Sequence, residues 1–200
     1  MGRPKGSNRL DTQQKLIVSA RKCFAEKGYA QSTFKDIAKQ MGISHAALYA
    51  YYPSKLALYL DTVDKTQALL IPHYIQALEQ FTSLKERIAA IFLAMAEEHE
   101  NDNTITGLLA AVPIEIRRHS DIYAALMHHD NEVMSLLIDM FNEAKINGEI
   151  QSSLPTADLV SAIFGTGVGV ALLHYGNDQT DLRGKMHALV DLISGRFFNP

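Results

Sequence analysis

Phe34-Lys35-Asp36-Ile37-Ala38-Lys39-Gln40-Met41-Gly42-Ile43-Ser44-His45-Ala46-Ala47-Leu48-Tyr49 reads as two short helices meeting at a tight turn. Phe34, Ile37, Ala38 and Met41 recur at i, i+3, i+4 and i+7, which gives the first helix one apolar face. Thr33 precedes that run and Asp36 follows three residues later, a capping-box arrangement for free backbone N–H groups. Gly42 ends the helix, because a residue without Cβ reaches the left-handed conformation cheaply. Ile43 plugs the gap between the helices, Ser44 caps the second, and small Ala38 lets the two cross closely. The spacing predicts a helix-turn-helix, in which the second helix enters the major groove of DNA.

The run Thr33…Ile37-Ala38…Gly42-Ile43-Ser44…Leu48-Tyr49, followed by Tyr51-Tyr52-Pro53-Ser54-Lys55 and Leu58, resembles the signature of TetR-family transcriptional regulators. The likeness covers about the first quarter of the chain, with a dozen positions agreeing in type and spacing. It implies an all-α protein: a three-helix DNA-binding domain at 1–55 with a basic N-terminal arm, and a helical effector-binding and dimerisation domain at 56–200.

Charge divides along the same line. Residues 1–58 hold ten Lys/Arg against three Asp/Glu, net +7, and residues 59–200 hold nine against nineteen, net −10. A small basic head on an acidic body suits phosphate binding at one end only. One cysteine, Cys23, excludes an intrachain disulfide framework and fits a reducing cytoplasm. It shares a helical face with Leu16, Ala20 and Phe24, the pattern of a packed core thiol. No apolar segment marks a signal peptide. Leu159 to Tyr175 lacks Asp, Glu, Lys and Arg, but glycines and hydroxyls dilute it and no cationic flank anchors it; a buried helix is expected there, and no membrane partner.

Taken in order, Gly2 to Arg9 reads as a disordered basic arm. Its Gly-Arg-Pro resembles minor-groove hooks, which would place Arg3 and Lys5 on DNA, or it is a solubilising tail. A first helix is expected from Asp11 or Thr12 to Lys27, ended by Gly28. Another starts behind Ser54 and links head to body until Pro72 kinks or ends it. Further helices are expected at about 83–100, 120–147, 156–175 and 181–197, with Gly148 as the C-cap of the second of these.

Lys35 and, on the recognition helix, His45, Ala46 and Tyr49 are placed against base edges, Ala46 meeting a thymine methyl. The resemblance puts Thr33, Ser44, Tyr49, Tyr51 and Lys55 on phosphates, which set register rather than sequence. His45-Ala46-Ala47 is short-chained, so shape-dependent readout is expected to add specificity.

Gly165, Gly167 and Gly169 interrupt an apolar helix, each at a cost of about 1 kcal/mol against alanine. Close backbone approach explains them, either within one subunit or, as the resemblance implies, across a two-fold axis where the last two helices pair; Gly165 and Gly169 share the face for that homodimer. Phe92, Met95 and His99 line one helix face, and Met134, Met140 and Phe164 lie on apolar stretches. The resemblance implies a cavity there for a small, mostly apolar effector, and methionines adapt to such ligands; each of the six also reads as plain core. His99 and His174 are each the lone ionisable group of an apolar stripe, the pattern of a satisfied core histidine. Glu115 with His119, and His128 with Glu132, are i, i+4 pairs read as solvated faces. No spaced metal set and no nucleophile–base signature is present, so no metal, cofactor or catalysis is expected. The expected function is a homodimeric repressor released from a palindromic operator by that effector. The alternative is a DNA-binding organiser of the nucleoid-occlusion type, controlled by a protein partner.

Overall fold

The computed structural model describes residues 5–126, 132–177 and 181–198 of the chain, with side chains from residue 9 onward. Among them the chain forms eleven α-helices and no strand. It divides into two compact units, a head of residues 5–66 and 107–126 and a body of residues 67–106, 132–177 and 181–198.

In the head, α1 (Lys5–Gln31) is followed by α2 (Phe34–Met41), α3 (His45–Leu48) and the start of α4 (Lys55–Ala68). Leu16, Ala20, Cys23, Phe24, Ile37, Leu48, Leu58 and Tyr59 form the core. Two residues from far along the chain complete it: Leu108 of α7 (Thr104–Arg118) and Ile122 of α8 (Ser120–Leu126). A three-helix head of about 55 residues buries little surface and is marginal alone, and Leu108 and Ile122 enlarge its core.

Two helix starts and ends differ from expectation. α1 begins at Lys5, so residues 5–9, expected in the disordered arm, are helical; a proline at position 4 favours a helix start just after it. Gly28 interrupts α1 with φ 74° and ψ 171°, the break expected there. α11 (Leu182–Ile193) stops four residues before 197, because Gly195 takes a left-handed φ of 72° behind its C-cap. Pro72 falls in the first turn of α5 (Ile71–Gln80), where its missing N–H costs nothing. The expected 120–147 helix corresponds to α8 and α9 (Glu132–Ile146), with 127–131 outside the described residues.

In the body, α6 (Leu84–Asn101) packs on α5 and α11, while α10 (Thr156–Tyr175) packs on α9 and α11. Phe164 is the centre of an aromatic cluster, its ring 5.4 Å from Phe92, 6.3 Å from Phe141 and 6.5 Å from Tyr74. α10 buries only the stripe Val160, Phe164, Gly167, Ala171 and His174. The expected buried helix is therefore not buried in the single chain: 22% of its most apolar window is covered, at a mean hydropathy of 1.7. By length and composition alone it could cross a membrane; the buried stripe on α9 and α11 makes it part of the bundle.

Gly167 is the one of the three glycines that packs inside. A Cβ there would lie 2.7 Å from Phe92 Cε1, and the Phe92 ring is fully buried. Overpacking costs about 1–3 kcal/mol and the gain in helix propensity returns only about 1. Gly167→Ala is thus expected to lower Tm by about 2–6 °C in a thermal melt; a higher Tm would contradict this packing.

Candidate functional site: the helix-turn-helix and the body core

The local sequence builds the turn by hydrogen bonds that span three to five residues. Thr33 Oγ1 accepts the Asp36 N–H at 3.1 Å and Asp36 Oδ2 accepts the Thr33 N–H at 3.2 Å. The Thr33 hydroxyl also donates to Asp36 at 2.7 Å. That bond first, and then Lys27, 3.1 Å away, holds the Asp36 carboxyl below its usual range. Gly42 sits at φ 67° and ψ 26°, which turns the chain so that Ile43 N–H reaches the Ala38 carbonyl at 3.1 Å. Ser44 Oγ then accepts Ala47 N–H at 3.2 Å and starts α3.

What this turn presents is an exposed surface of His45, Ala46 and Tyr49. Phe34 braces it from below. Its ring lies 5.0 Å from Tyr49 and 6.3 Å from His45, and those two rings are 5.3 Å apart in an edge-on contact. The imidazole and phenol are thus pre-oriented, which reduces the rotamer entropy lost when they dock in a groove. Lys35 and Lys39 are exposed on α2.

The other expected DNA contacts are less free. Lys55 Nζ donates to the carbonyls of Tyr29 at 2.8 Å and Ala30 at 3.2 Å and lies 4.3 Å above the Tyr29 ring. Tyr51 is half-buried, with the Arg9 guanidinium 5.9 Å above its ring. Neighbouring Tyr52 donates to Asp61. Arg3 lies outside the described residues, as does the side chain of Lys5.

In the body, Phe92, Phe164 and Met140 are buried core residues, Met95 is half-buried, and Met134 is 38% exposed on α9, apart from them. The two lone histidines meet: His99 and His174 are both 5% exposed, with ring centroids 4.9 Å apart. His99 Nδ1 lies 2.8 Å from Thr106 Oγ1. Burial, and behind it His174, lowers the His99 pKa below 6.5 against the pull of Glu100. The folded protein therefore binds that proton less readily than the unfolded chain. This contribution to stability is present above pH 6.5 and is lost as pH falls through the lower folded value. Tm measured between pH 7.5 and 5 is expected to fall with pH in wild type and to fall less in His99→Gln.

Two clefts open on the body surface. One of about 440 Å³ is lined by Leu84, Ile88, Phe141, Ile150, Leu159 and Ile163, with Lys85 and Glu149 beside them. The other, of about 470 Å³, is more polar and includes His73, Glu97 and Arg183. Neither is lined by the six expected effector residues. Among the described residues no group of three His, Cys, Asp or Glu side chains could hold a metal; His128 lies outside them.

Sequence reasoning missed the ties on Tyr29. Glu115 is 6% exposed and accepts the Tyr29 N–H, where a solvated helix face was expected. The signal was its position at i+3 from Val112 and i+7 from Leu108, on the face that α7 buries.

Among the described residues the chain is all-helical and presents a capped helix-turn-helix, the motif with which DNA-binding transcriptional regulators enter the major groove. The family model described as "Bacterial regulatory proteins, tetR family" matches residues 16–62, the part of the chain that carries the helix-turn-helix. It is 24% identical over 193 residues to the fatty acid metabolism regulator protein of Bacillus subtilis, covering 92% of this chain and 94% of that one. It is 30% identical over 108 residues to the transcriptional activator FasR of Mycolicibacterium smegmatis, and there it spans about half of each chain (50% and 49%). The fold matches the crystal structure of FadR from Bacillus subtilis in complex with stearoyl-CoA with a TM-score of 0.75 at 22% identity, over 93% of this chain and 100% of that one.

Proposed function

We propose that the protein is a homodimeric repressor that binds a palindromic operator on double-stranded DNA and is released by a small, mostly apolar effector. Residues 1–55 are the DNA-reading part and 56–200 the effector-binding and dimerising part. The observation that carries this reading is the exposed His45–Ala46–Tyr49 surface, braced by Phe34 at the tip of a capped turn. His45, Ala46, Tyr49 and Lys35 would meet base edges, Thr33, Ser44 and Tyr51 the backbone, and the arm residues Arg3 and Lys5 the minor groove.

The effector reading is supported by a likeness that runs the whole length to a fatty acid metabolism regulator, and by a structural neighbour that carries stearoyl-CoA. A long-chain acyl thioester is therefore the class to test first. The body's apolar layer around Phe92, Met95, Met140 and Phe164, with His99 as its polar group, is the proposed chamber; Met134, exposed, stands at its margin. Entry there would displace α4, whose first residues belong to the head and whose last belong to the body. Adjacent half-sites demand a separation of about 34–36 Å between recognition helices, so a small displacement releases the DNA. The homodimer is assigned to the exposed side of α10 and α11, with Gly165 and Gly169 at the contact. The protein would work in the cytoplasm, with the chromosome.

The test is selection of bound duplexes from random double-stranded DNA, followed by a genome-wide map of bound sites. Expected are a palindrome and a few sites near one gene cluster. Many dispersed sites that no apolar compound clears would favour the organiser controlled by a protein partner. His45→Ala is expected to relax base preference at one position of each half-site, by about 1–3 kcal/mol of discrimination. An unchanged selected sequence would remove His45 from the recognition surface. Lys55→Ala should weaken all sequences alike, whether its ammonium meets phosphate or acts through the two carbonyls it holds.

A further inference from the structure

The C-terminal end of α1 is held from outside the helix-turn-helix. Tyr29, which follows the left-handed Gly28, donates its backbone N–H to Glu115 Oε1 on α7 at 3.0 Å. The other carboxylate oxygen of Glu115 lies 3.2 Å from His119 Nε2. Gly28 makes the approach possible: its φ is 74°, and a Cβ there would sit 2.9 Å from Glu115 Oε1. The rest of Tyr29 is gripped as well. Its carbonyl accepts from Lys55 at 2.8 Å, its ring lies 5.0 Å from those of Tyr59 and His119, and its hydroxyl reaches Asp121 at 3.4 Å. Burial, and then the Asp121 carboxylate, pushes that phenol up to about 12. Four residues after Tyr29, Thr33 caps α2. The direction in which the chain leaves α1 and enters the reading helices is thus set by a carboxylate on α7.

A buried carboxylate is costly unless donors satisfy it, and an apolar residue would fill this face of α7 without that cost. The apolar core of the head, from Leu16 to Ile122, holds the unit together independently of the carboxylate. We propose that Glu115 is a positioning residue for DNA recognition, a latch onto the Tyr29 N–H that sets the angle of the recognition helix. This rests on the dimeric DNA-binding reading above.

The test uses the full chain as wild type, Glu115→Leu and Glu115→Gln, titrated with the selected operator and with duplexes carrying one inserted base pair between the half-sites. One base pair moves the half-sites apart by about 3.4 Å and turns them by about 35°. Wild type is expected to lose about 30-fold or more in affinity on the insertion. Glu115→Leu should bind the native operator about 10-fold more weakly yet lose less than about 5-fold on insertion, within the usual range of coupling effects. Glu115→Gln keeps the wild-type discrimination, because its amide oxygen still accepts the Tyr29 N–H. A residue that only stabilises the fold would weaken both duplexes alike and leave the ratio unchanged. A wild-type ratio in Glu115→Leu, or a Gln variant that behaves like Leu, overturns the latch. If Glu115→Leu lacks wild-type helical content, His119→Ala decides by the same ratio, which should fall about 3-fold or more; no fall overturns the proposal. A wild type indifferent to spacing would overturn the dimeric reading, and the latch with it.

Discussion

Raising the salt from 50 to 200 mM is expected to weaken operator binding about 10³–10⁴-fold. Residues 1–58 carry ten Lys/Arg against three Asp/Glu, but not all of that charge faces phosphate. Lys27 pairs with Asp36, Lys55 holds two carbonyls, and Arg21 is 6% exposed. Lys35 and Lys39 on α2, with Arg9 and Lys15 on α1, are exposed. If three or four cations per head reach phosphates, a dimer neutralises about six to eight, and a slope near −0.9 per phosphate gives that loss over a fourfold change in salt. The readout is the slope of log Kd against log salt for the selected operator. A slope shallower than about 2 would mean that the basic head does not lie along the backbone.

Gly169→Leu is expected to give a monomer with operator affinity lowered about 10²-fold or more. In the protomer a Cβ at Gly165 or Gly169 meets nothing within 4 Å, in contrast to Gly167. A Cβ therefore has room in the single chain, and the proposed loss is assigned to contact with a partner. The same side of α10 exposes Val168, Leu172 and Leu173, with Leu173 at 77%, and Leu192 is exposed on α11. Exposed apolar side chains grouped in this way mark an interaction site, and in the proposed homodimer a second copy would cover them. Once one head is docked, the second binds at an effective concentration near millimolar, and a monomer loses that advantage. Sedimentation velocity and operator titration together decide; a Gly169→Leu protein that still sediments as a dimer removes these glycines from the interface.

What could be read in the sequence follows the range of the interactions. The Thr33–Asp36 box, the left-handed Gly42 and the Ser44 cap were legible because each closes within a few residues. Leu48 was legible as core by the same logic. Gly165 and Gly169 could be set on one face by their i, i+4 spacing, but that Gly167 packs inward depends on Phe92 across the bundle. His99 and His174 could be assigned to apolar faces, but their meeting depends on how α6 and α10 pack. Glu115 looked like a solvated carboxylate, and its partner Tyr29 is 86 residues away. Of the residues expected to line a chamber, Phe92 and Phe164 touch, while Met134, one turn before Leu137 on the same side of α9, is exposed because burial of that stripe begins at Leu137.

In the proposed mechanism DNA and an apolar effector compete for two arrangements of one protein. Linkage then requires each ligand to weaken the other by the same factor, of order 5–150-fold (about 1–3 kcal/mol). The direct measurement is a calorimetric titration of stearoyl-CoA into the purified protein, alone and saturated with the selected operator duplex, beside an operator titration with and without stearoyl-CoA. The account predicts that the effector binds more weakly to the DNA-bound protein, by the factor by which it raises the operator Kd. Equal effector affinities in the two states would contradict release by that ligand.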